Sequence, residues 1–290
     1  STSGRKYIDI LQKTVKRNYK KRIFLNRFVT IFTIVCVIAA IVPLGSILLE
    51  VIKNGAKAIS FEFITQPQGS IGSGNGGVGP AIQGTIIVVG LASLIAAPVG
   101  VLAGIYLSEY AKRGTFADVV RFFNDVLTGL PSIVIGIVGY IVIVLSIGSF
   151  SVLAGAISLS IIMIPIVVRV TEETLKVVPY SFREAGHSLG ISKAKITLFI
   201  VLPSAKNGIL TGIVIAISRI AGETAPLIMT ILGTSLFFTG ITGPVDALPL
   251  RIWRLASQPY ESAHAFGWGS ALILILMILA LSVGLRYLAH

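Results

Sequence analysis

Residues 126–168 read VLTGLPSIVIGIVGYIVIVLSIGSFSVLAGAISLSIIMIPIVV, a run of 43 residues without a charge. A helix needs about 20 residues to cross ~30 Å of hydrocarbon, so this run is too long for one crossing and near the length of two. Ser146-Ile147-Gly148-Ser149 supplies a turn between them. Four more apolar segments of crossing length lie outside it. Together the segments 28–49, 84–107, 126–145, 152–168, 208–236 and 265–285 predict an all-α, polytopic membrane protein with six transmembrane helices. The composition agrees, with mean hydropathy +0.90 and 12% charged residues, against about a quarter in soluble chains.

Net charge is +12. The basic residues cluster beside apolar spans and form no basic soluble domain, which argues against nucleic-acid binding. Nine Lys or Arg lie in residues 1–27, three in 108–125, six in 169–207, and Arg286 follows the last span. Parity puts these nineteen on one side and only Lys53, Lys57, Arg251 and Arg254 on the other. The positive-inside rule therefore predicts both termini in the cytoplasm. Residues 1–27 read as a basic cytoplasmic arm and not as a secretory signal; residues 28–290 read as the transmembrane domain, with a cytoplasmic loop at about 171–207. Cys36 is the single cysteine, so neither a disulfide within the chain nor a cysteine zinc site is expected.

Two polar features stand out. The first is Glu184-Ala185-Gly186-His187-Ser188-Leu189-Gly190, with Ile200-Val201-Leu202-Pro203 nine residues on. Ser181 and Glu184 have capping-box spacing, which predicts a helix capped by Ser181. Phe182, Ala185, Gly186 and Leu189 share one face, Gly190 can end the helix with positive φ, and Ser192 can cap the next. Such a helix suits a groove on another protein or the membrane interface. The second is Arg219 with Glu223, four residues apart inside the predicted fifth span. A charge at that depth is costly and faces a partner or a wet cavity. It reads either as an ion pair that fixes packing or as part of an anion pathway. In the second reading Arg219 holds an oxyanion with its planar fork, Glu223 steadies Arg219, and Ser218 and Thr224 add hydroxyls.

The loop spacing resembles the docking loop of ABC importer permeases. More specifically, Arg219-Ile220-Ala221-Gly222-Glu223-Thr224-Ala225-Pro226-Leu227 resembles the fifth-span signature of PstA-type phosphate permeases. Gly76-Gly77-Val78-Gly79-Pro80-Ala81-Ile82-Gln83-Gly84-Thr85, Ala247-Leu248-Pro249-Leu250 and Ala256-Ser257-Gln258-Pro259-Tyr260 agree with it. The resemblance runs from about Phe61 to residue 290. It implies a type I ABC importer permease fold in the cell (inner or plasma) membrane. It also implies a non-catalytic subunit without cofactor or metal, carrying phosphate through half of a translocation pathway. The implied partners are a second homologous permease subunit, an ATP-binding subunit dimer, an external phosphate-binding protein and the lipid membrane, with no nucleic acid. Glu184, Ala185, Gly186 and Gly190 would then be ATPase-docking residues, and Arg219 and Glu223 phosphate-pathway residues. The chain has no G-x-x-x-x-G-K-[ST], so the ATPase is expected on another polypeptide. A permease for sulfate, molybdate or phosphonate would share the loop; a secondary anion transporter would share only the buried pair.

Other signals carry less. The Gly72–Gly77 run matches G-x-G-x-x-G but follows no strand, so a mobile outer loop is expected in place of a nucleotide site. His187, His264 and His290 are dispersed. Asp118 and Asp125 look like one charged helix face. Pro43, Pro98, Pro131, Pro165 and Pro226 are expected to pack inside the bundle, and Gly100-x-x-x-Gly104 and Gly136-x-x-Gly139 to allow close helix approach.

Overall fold

The computed structural model describes residues 2–69, 75–111 and 114–289; Gly72, Ser73 and Gly74 of the glycine run fall outside these. The chain divides into two units, residues 1–53 and 54–290. The first is carried by helix α1 (Thr2–Ala58), which continues into the second unit. Pro43 lies inside α1 without ending it. The apolar side chains along 28–49 are exposed, as on a helix meant for lipid or a partner.

The second unit holds α2 (Phe61–Thr65), α3 (Gly79–Ile105), α4 (Thr115–Gly129), α5 (Ser132–Gly139), α6 (Leu145–Ile147), α7 (Val152–Val177), α8 (Tyr180–Ser188), α9 (Lys193–Ile196), α10 (Leu202–Ala221), α11 (Ala225–Thr230), α12 (Leu248–Ala256) and α13 (Glu261–Ala289). Among the described residues three π turns interrupt the α-helical register. One extends α3 over Tyr106–Tyr110, one joins α5 to α6, and one joins α9 to α10 over Thr197–Val201. Among the described residues five stretches are long and apolar enough to cross a membrane: Lys21–Ala58, Gly79–Tyr110, Val152–Val177, Lys193–Ala221 and Glu261–Tyr287. The pair Thr115–Gly129 and Ser132–Ile147, bent by 101°, makes a sixth if it is taken as one span.

Two predicted spans are not straight helices. The third, 126–145, is cut at Leu130–Pro131. Leu130 is extended (ψ 137°), as the residue before a proline prefers, so α4 leaves at a steep angle from α5. The fifth, 208–236, ends as a helix at Ala221. Residues 222–224 form a break, and Pro226 lies in the first turn of the short α11. A proline inside a continuous helix would have clashed with the Gly222 carbonyl four residues back and removed its bond.

α7 lies at the centre. Two-thirds (67%) of its apolar window is buried, against 22–28% for the spans of α3, α10 and α13. Its neighbours approach through glycine. A Cβ on Gly100 or Gly104 of α3 would sit 2.7 Å from the Val167 Cβ and 2.6 Å from the Thr171 Cβ. Gly208 and Gly212 of α10 likewise meet Thr174 and Val170, and Gly139 of α5 meets Ser158. Without side chains at those points the backbones close up, and dispersion contacts replace lipid. Gly136 lies against the Pro226 Cα, 2.7 Å from its own would-be Cβ, which seats α11 on α5.

The start of α7 is closed by the end of α11 and the segment that follows it. Ser151 N–H donates to the Thr230 carbonyl (3.0 Å), Val152 N–H to Gly243 (3.1 Å) and Leu153 N–H to Ile241 (3.0 Å). These are the donors a helix start leaves without partners in its own backbone. The same segment holds a buried pair, Asp246 with Arg251, Nε to Oδ2 2.6 Å. It is pinned to α3 by Leu248 N–H to Thr85 Oγ1 (2.8 Å) and Phe238 N–H to Gln83 Oε1 (2.9 Å).

Replacing Gly212 by Val drives two methyl groups into Val170. We expect it to destabilise the folded protein by about 1–3 kcal/mol, an ordinary overpacking cost. Gly90→Ala, where nothing lies within 4 Å, is expected to change stability little. Thermal unfolding of the two purified variants in detergent compares them.

Candidate coupling loop and mid-depth ion pair

The chain leaves α7 through Val178 and Pro179, and Pro179 occupies the cap position of α8 with φ −54°. The helix therefore starts two residues earlier than the capping-box reading requires. Ser181 lies inside it and makes no cap bond; Phe182 N–H bonds the Pro179 carbonyl instead (3.3 Å). At the other end Gly190 has φ +71°. Its N–H reaches the His187 carbonyl, and the Ile191 N–H reaches Gly186, which ends the helix as the sequence suggests. Ser192 takes the cap position of α9, without a side-chain bond.

The faces of α8 differ from the predicted stripe in one residue. Phe182, Glu184, Ala185 and Leu189 are exposed. Gly186 is buried and turned inward: a Cβ there would lie 2.7 Å from Ile196 Cγ1 and 2.8 Å from its Cδ1. Gly186 thus belongs to the internal packing of the loop, where α8 meets α9. Its small size matters for that contact and not for an outer surface.

Arg183 also points inward, and sequence reasoning counted it only as a loop charge. Its Nε donates to Glu109 Oε2 (3.0 Å) and its Nη2 to Glu109 Oε1 (2.6 Å). Nη1 donates to the Val178 carbonyl (2.8 Å) and Nη2 also to Leu175 (3.0 Å). Ser108 Oγ donates to Glu109 Oε1 (3.2 Å). The two side chains are 8% and 3% exposed. Nearby, Arg121 of α4 donates to Glu172 (3.0 Å) and to the Leu107 carbonyl (3.2 Å), and Lys176 donates to Glu172 (2.7 Å). Asp118 and Asp125, read as a charged face, are exposed and reach Arg121 (3.5 Å) and Arg169 (3.6 Å).

Arg219 lies two residues before the end of α10, and Glu223 lies in the break beyond it. The two do not share a continuous helix, yet Arg219 Nη2 is 3.5 Å from Glu223 Oε1. Depth follows from register. α10 runs antiparallel to α7, with Gly208 at Thr174 and Gly212 at Val170. Continuing that register sets Arg219 level with about Met163, near the middle of α7 and roughly 16 Å from its start at ~1.5 Å per residue. At that depth the Arg219 side chain is 57% exposed, while Glu223 is 13% exposed. Ile215 and Gly222 are exposed on the same side of α10. Thr224, at the α11 cap position, makes no cap bond and is half-buried. Ser218 is turned elsewhere: its hydroxyl donates to the Val214 carbonyl (2.8 Å) and lies 3.5 Å from Ser282 Oγ of α13.

The fold resembles membrane subunits of known transporters. The MetNI methionine ABC transporter, in inward-facing conformations, matches with TM-score 0.58 at 16% identity, covering 73% of this chain and 92% of that one. A bacterial alginate ABC transporter, in complex with its alginate pentasaccharide-bound periplasmic protein, matches with TM-score 0.67 at 15% identity, covering 93% and 96%. The fold is that of a type I ABC importer permease, a multi-pass membrane protein. Residues 96–290 match the binding-protein-dependent transport system inner membrane component family, and the chain belongs to it. Among sequence relatives, the phosphate transport system permease protein PstA of Yersinia pestis is 37% identical over 89% of this chain and 88% of its own. PstA of Xylella fastidiosa is 39% identical over 93% and 94%. A probable PstA of Methanocaldococcus jannaschii is 36% identical over 86% and 88%.

The contact between Gly186 and Ile196 is directly testable. Gly186→Val should make the loop more susceptible to limited proteolysis, at a cost of about 1–3 kcal/mol for a side chain forced into a filled site. Ile196→Ala added to it should restore protection by vacating that space.

Proposed function

We infer that this chain is a permease subunit of an ATP-driven phosphate importer, forming half of the translocation pathway and coupled to ATPase subunits on separate chains. The observation that carries the reading is the exposed Arg219 at mid-depth. A guanidinium on a lipid-facing surface there would cost several kcal/mol, so this face of α10 turns to a second permease subunit and to water between the two. Its planar fork suits a tetrahedral oxyanion, and Glu223 holds it in place when no anion is bound. Thr224 lies at the same break. Ser218 contributes to the α10–α13 contact and is left out of the pathway. The sequence relatives carry phosphate transport in their names, which selects phosphate among the oxyanions.

The exposed Phe182, Ala185 and Leu189, with Glu184 beside them, form the face that docks into the ATPase. Gly190 ends that helix and Gly186 holds it against α9. The excess of Lys and Arg in residues 1–27, 108–125 and 169–207 supports a cytoplasmic loop and cytoplasmic termini. The opposite end receives phosphate from an external binding protein. ATP-driven closure of the ATPase pair then rocks the spans and switches access to Arg219.

Phosphate uptake by the co-expressed complex tests the reading. Arg219→Gln is expected to cut uptake at least ~tenfold, the loss of a charge-assisted hydrogen bond or more, while the complex still assembles and hydrolyses ATP. Normal uptake would mean a purely structural pair. Leu189→Glu puts a charge on the docking face and is expected to abolish co-purification of the ATPase while the two permease subunits still associate. Retained ATPase would place the docking face elsewhere.

A further inference from the structure

The docking helix is joined to the spans by two swivels. On one side the chain is extended at Val178 (ψ 123°) and Pro179 (ψ 138°). On the other, Gly190 has positive φ. Neither junction is a continuous helix, so a push on α8 is not transmitted stiffly along the backbone. The transmission has to pass through side chains that cross from α8 to the spans.

We propose that the Arg183–Glu109 pair is that transmission element, the joint that makes α8, the end of α7 and the end of α3 move together. This rests on the reading of α8 as the ATPase-docking helix. One guanidinium binds all three elements: it forks onto both oxygens of Glu109 and caps two of the last carbonyls of α7, Leu175 and Val178. The Leu175 carbonyl also takes the Val178 N–H (3.3 Å), Val178 is the cap residue itself, and a cation at this helix end complements the helix dipole. Glu109 reaches Arg183 from the π turn after α3, where the Ala111 N–H bonds the Tyr106 carbonyl (2.9 Å). The wider turn rotates the register, and Leu107, Ser108 and Glu109 are all buried. The Lys193 ammonium lies 5.1 Å from the centre of the Tyr110 ring, tying the start of α9 to the same turn.

A buried ion pair is a poor choice for stability, because desolvation offsets most of its attraction and an apolar pair of similar volume often does as well. What it supplies is direction. A bidentate fork fixes distance and orientation in a way that neither apolar contact nor a lysine does. Arg183 and Glu109 are positioning residues; neither contacts phosphate or ATP.

The test compares phosphate moved per ATP hydrolysed, in proteoliposomes holding the complete complex and supplied with the external binding protein. The variants are Arg183→Met with Glu109→Met together, and Arg183→Lys alone. The double variant keeps the packing and removes the fork. Its assembled complex should still hydrolyse ATP, and phosphate moved per ATP should fall by about two- to thirty-fold, the range seen when coupling networks are cut. Arg183→Lys should give a smaller fall in the same ratio. An unchanged ratio in the double variant overturns the proposal. Should the double variant not assemble, Arg183→Lys decides by the same criterion, and failure of both to assemble makes the pair a folding element and overturns it too. If the unaltered complex shows no ATP-driven phosphate uptake, the functional reading fails first and takes this inference with it.

Discussion

A helix can be approached closely from several sides only where its neighbours offer no side chains at the crossing, and the second unit is organised around that constraint. α3 presents Gly100 and Gly104 to α7, α10 presents Gly208 and Gly212, and α5 presents Gly139. The resulting register is parallel between α3 and α7 and antiparallel between α7 and α10. Everything else takes its position from it, including the depth of Arg219, the height of the break at residues 222–224, and the meeting of Glu109 with the loop that follows α7. Because Ser151 and Val152 are fully buried, the helix start there cannot be left open. The end of α11 and the segment after it supply the carbonyls that close it.

The same packing leaves one face of α10 uncovered, and that face carries the charge. Arg219 is held by Glu223 from beyond the helix end, so the break in the fifth span is part of the site. A continuous helix would set Glu223 one turn along the same cylinder. The break instead seats α11 against α5 while the carboxylate stays within reach of the guanidinium. Arginine–carboxylate pairs occur both at the break after α10 and at the loop after α7, with opposite exposure. At Arg219 the guanidinium is open, as the proposed anion pathway requires; at Arg183 it is held by carboxylate and carbonyls, as the proposed link requires.

Much of this was legible because hydropathy and lysine–arginine asymmetry act over whole segments. The uncharged run at 126–168 did turn at Gly148, with α7 after it a single apolar helix of crossing length, and Gly190 did end the loop helix. The errors came where local signals competed. Leu227, Ile228, Met229 and Ile231 keep hydropathy high past Ala221, which hid the stop at Gly222 and Pro226. The apolar pattern after Val126 likewise hid the cut at Leu130–Pro131. Ser181 has the right spacing for a cap, but Pro179 starts the helix first. The pairing of Arg183 with Glu109 spans 74 residues and leaves no periodic trace; the one signal the sequence offers, a lone glutamate at the exit of an apolar span, went unread.

The central claim is that the uncovered face of α10 lines an aqueous phosphate pathway in the assembled transporter. Ile215 lies on that face one turn from Arg219 and is exposed, so it can carry a reporter while the arginine stays intact. With Cys36 replaced by serine, Ile215→Cys in the complete complex is treated with a membrane-impermeant, charged thiol reagent, with and without phosphate. The account predicts modification from the aqueous phase that phosphate slows. Modification only by a lipid-soluble reagent, unaffected by phosphate, would put this face in the bilayer and contradict it.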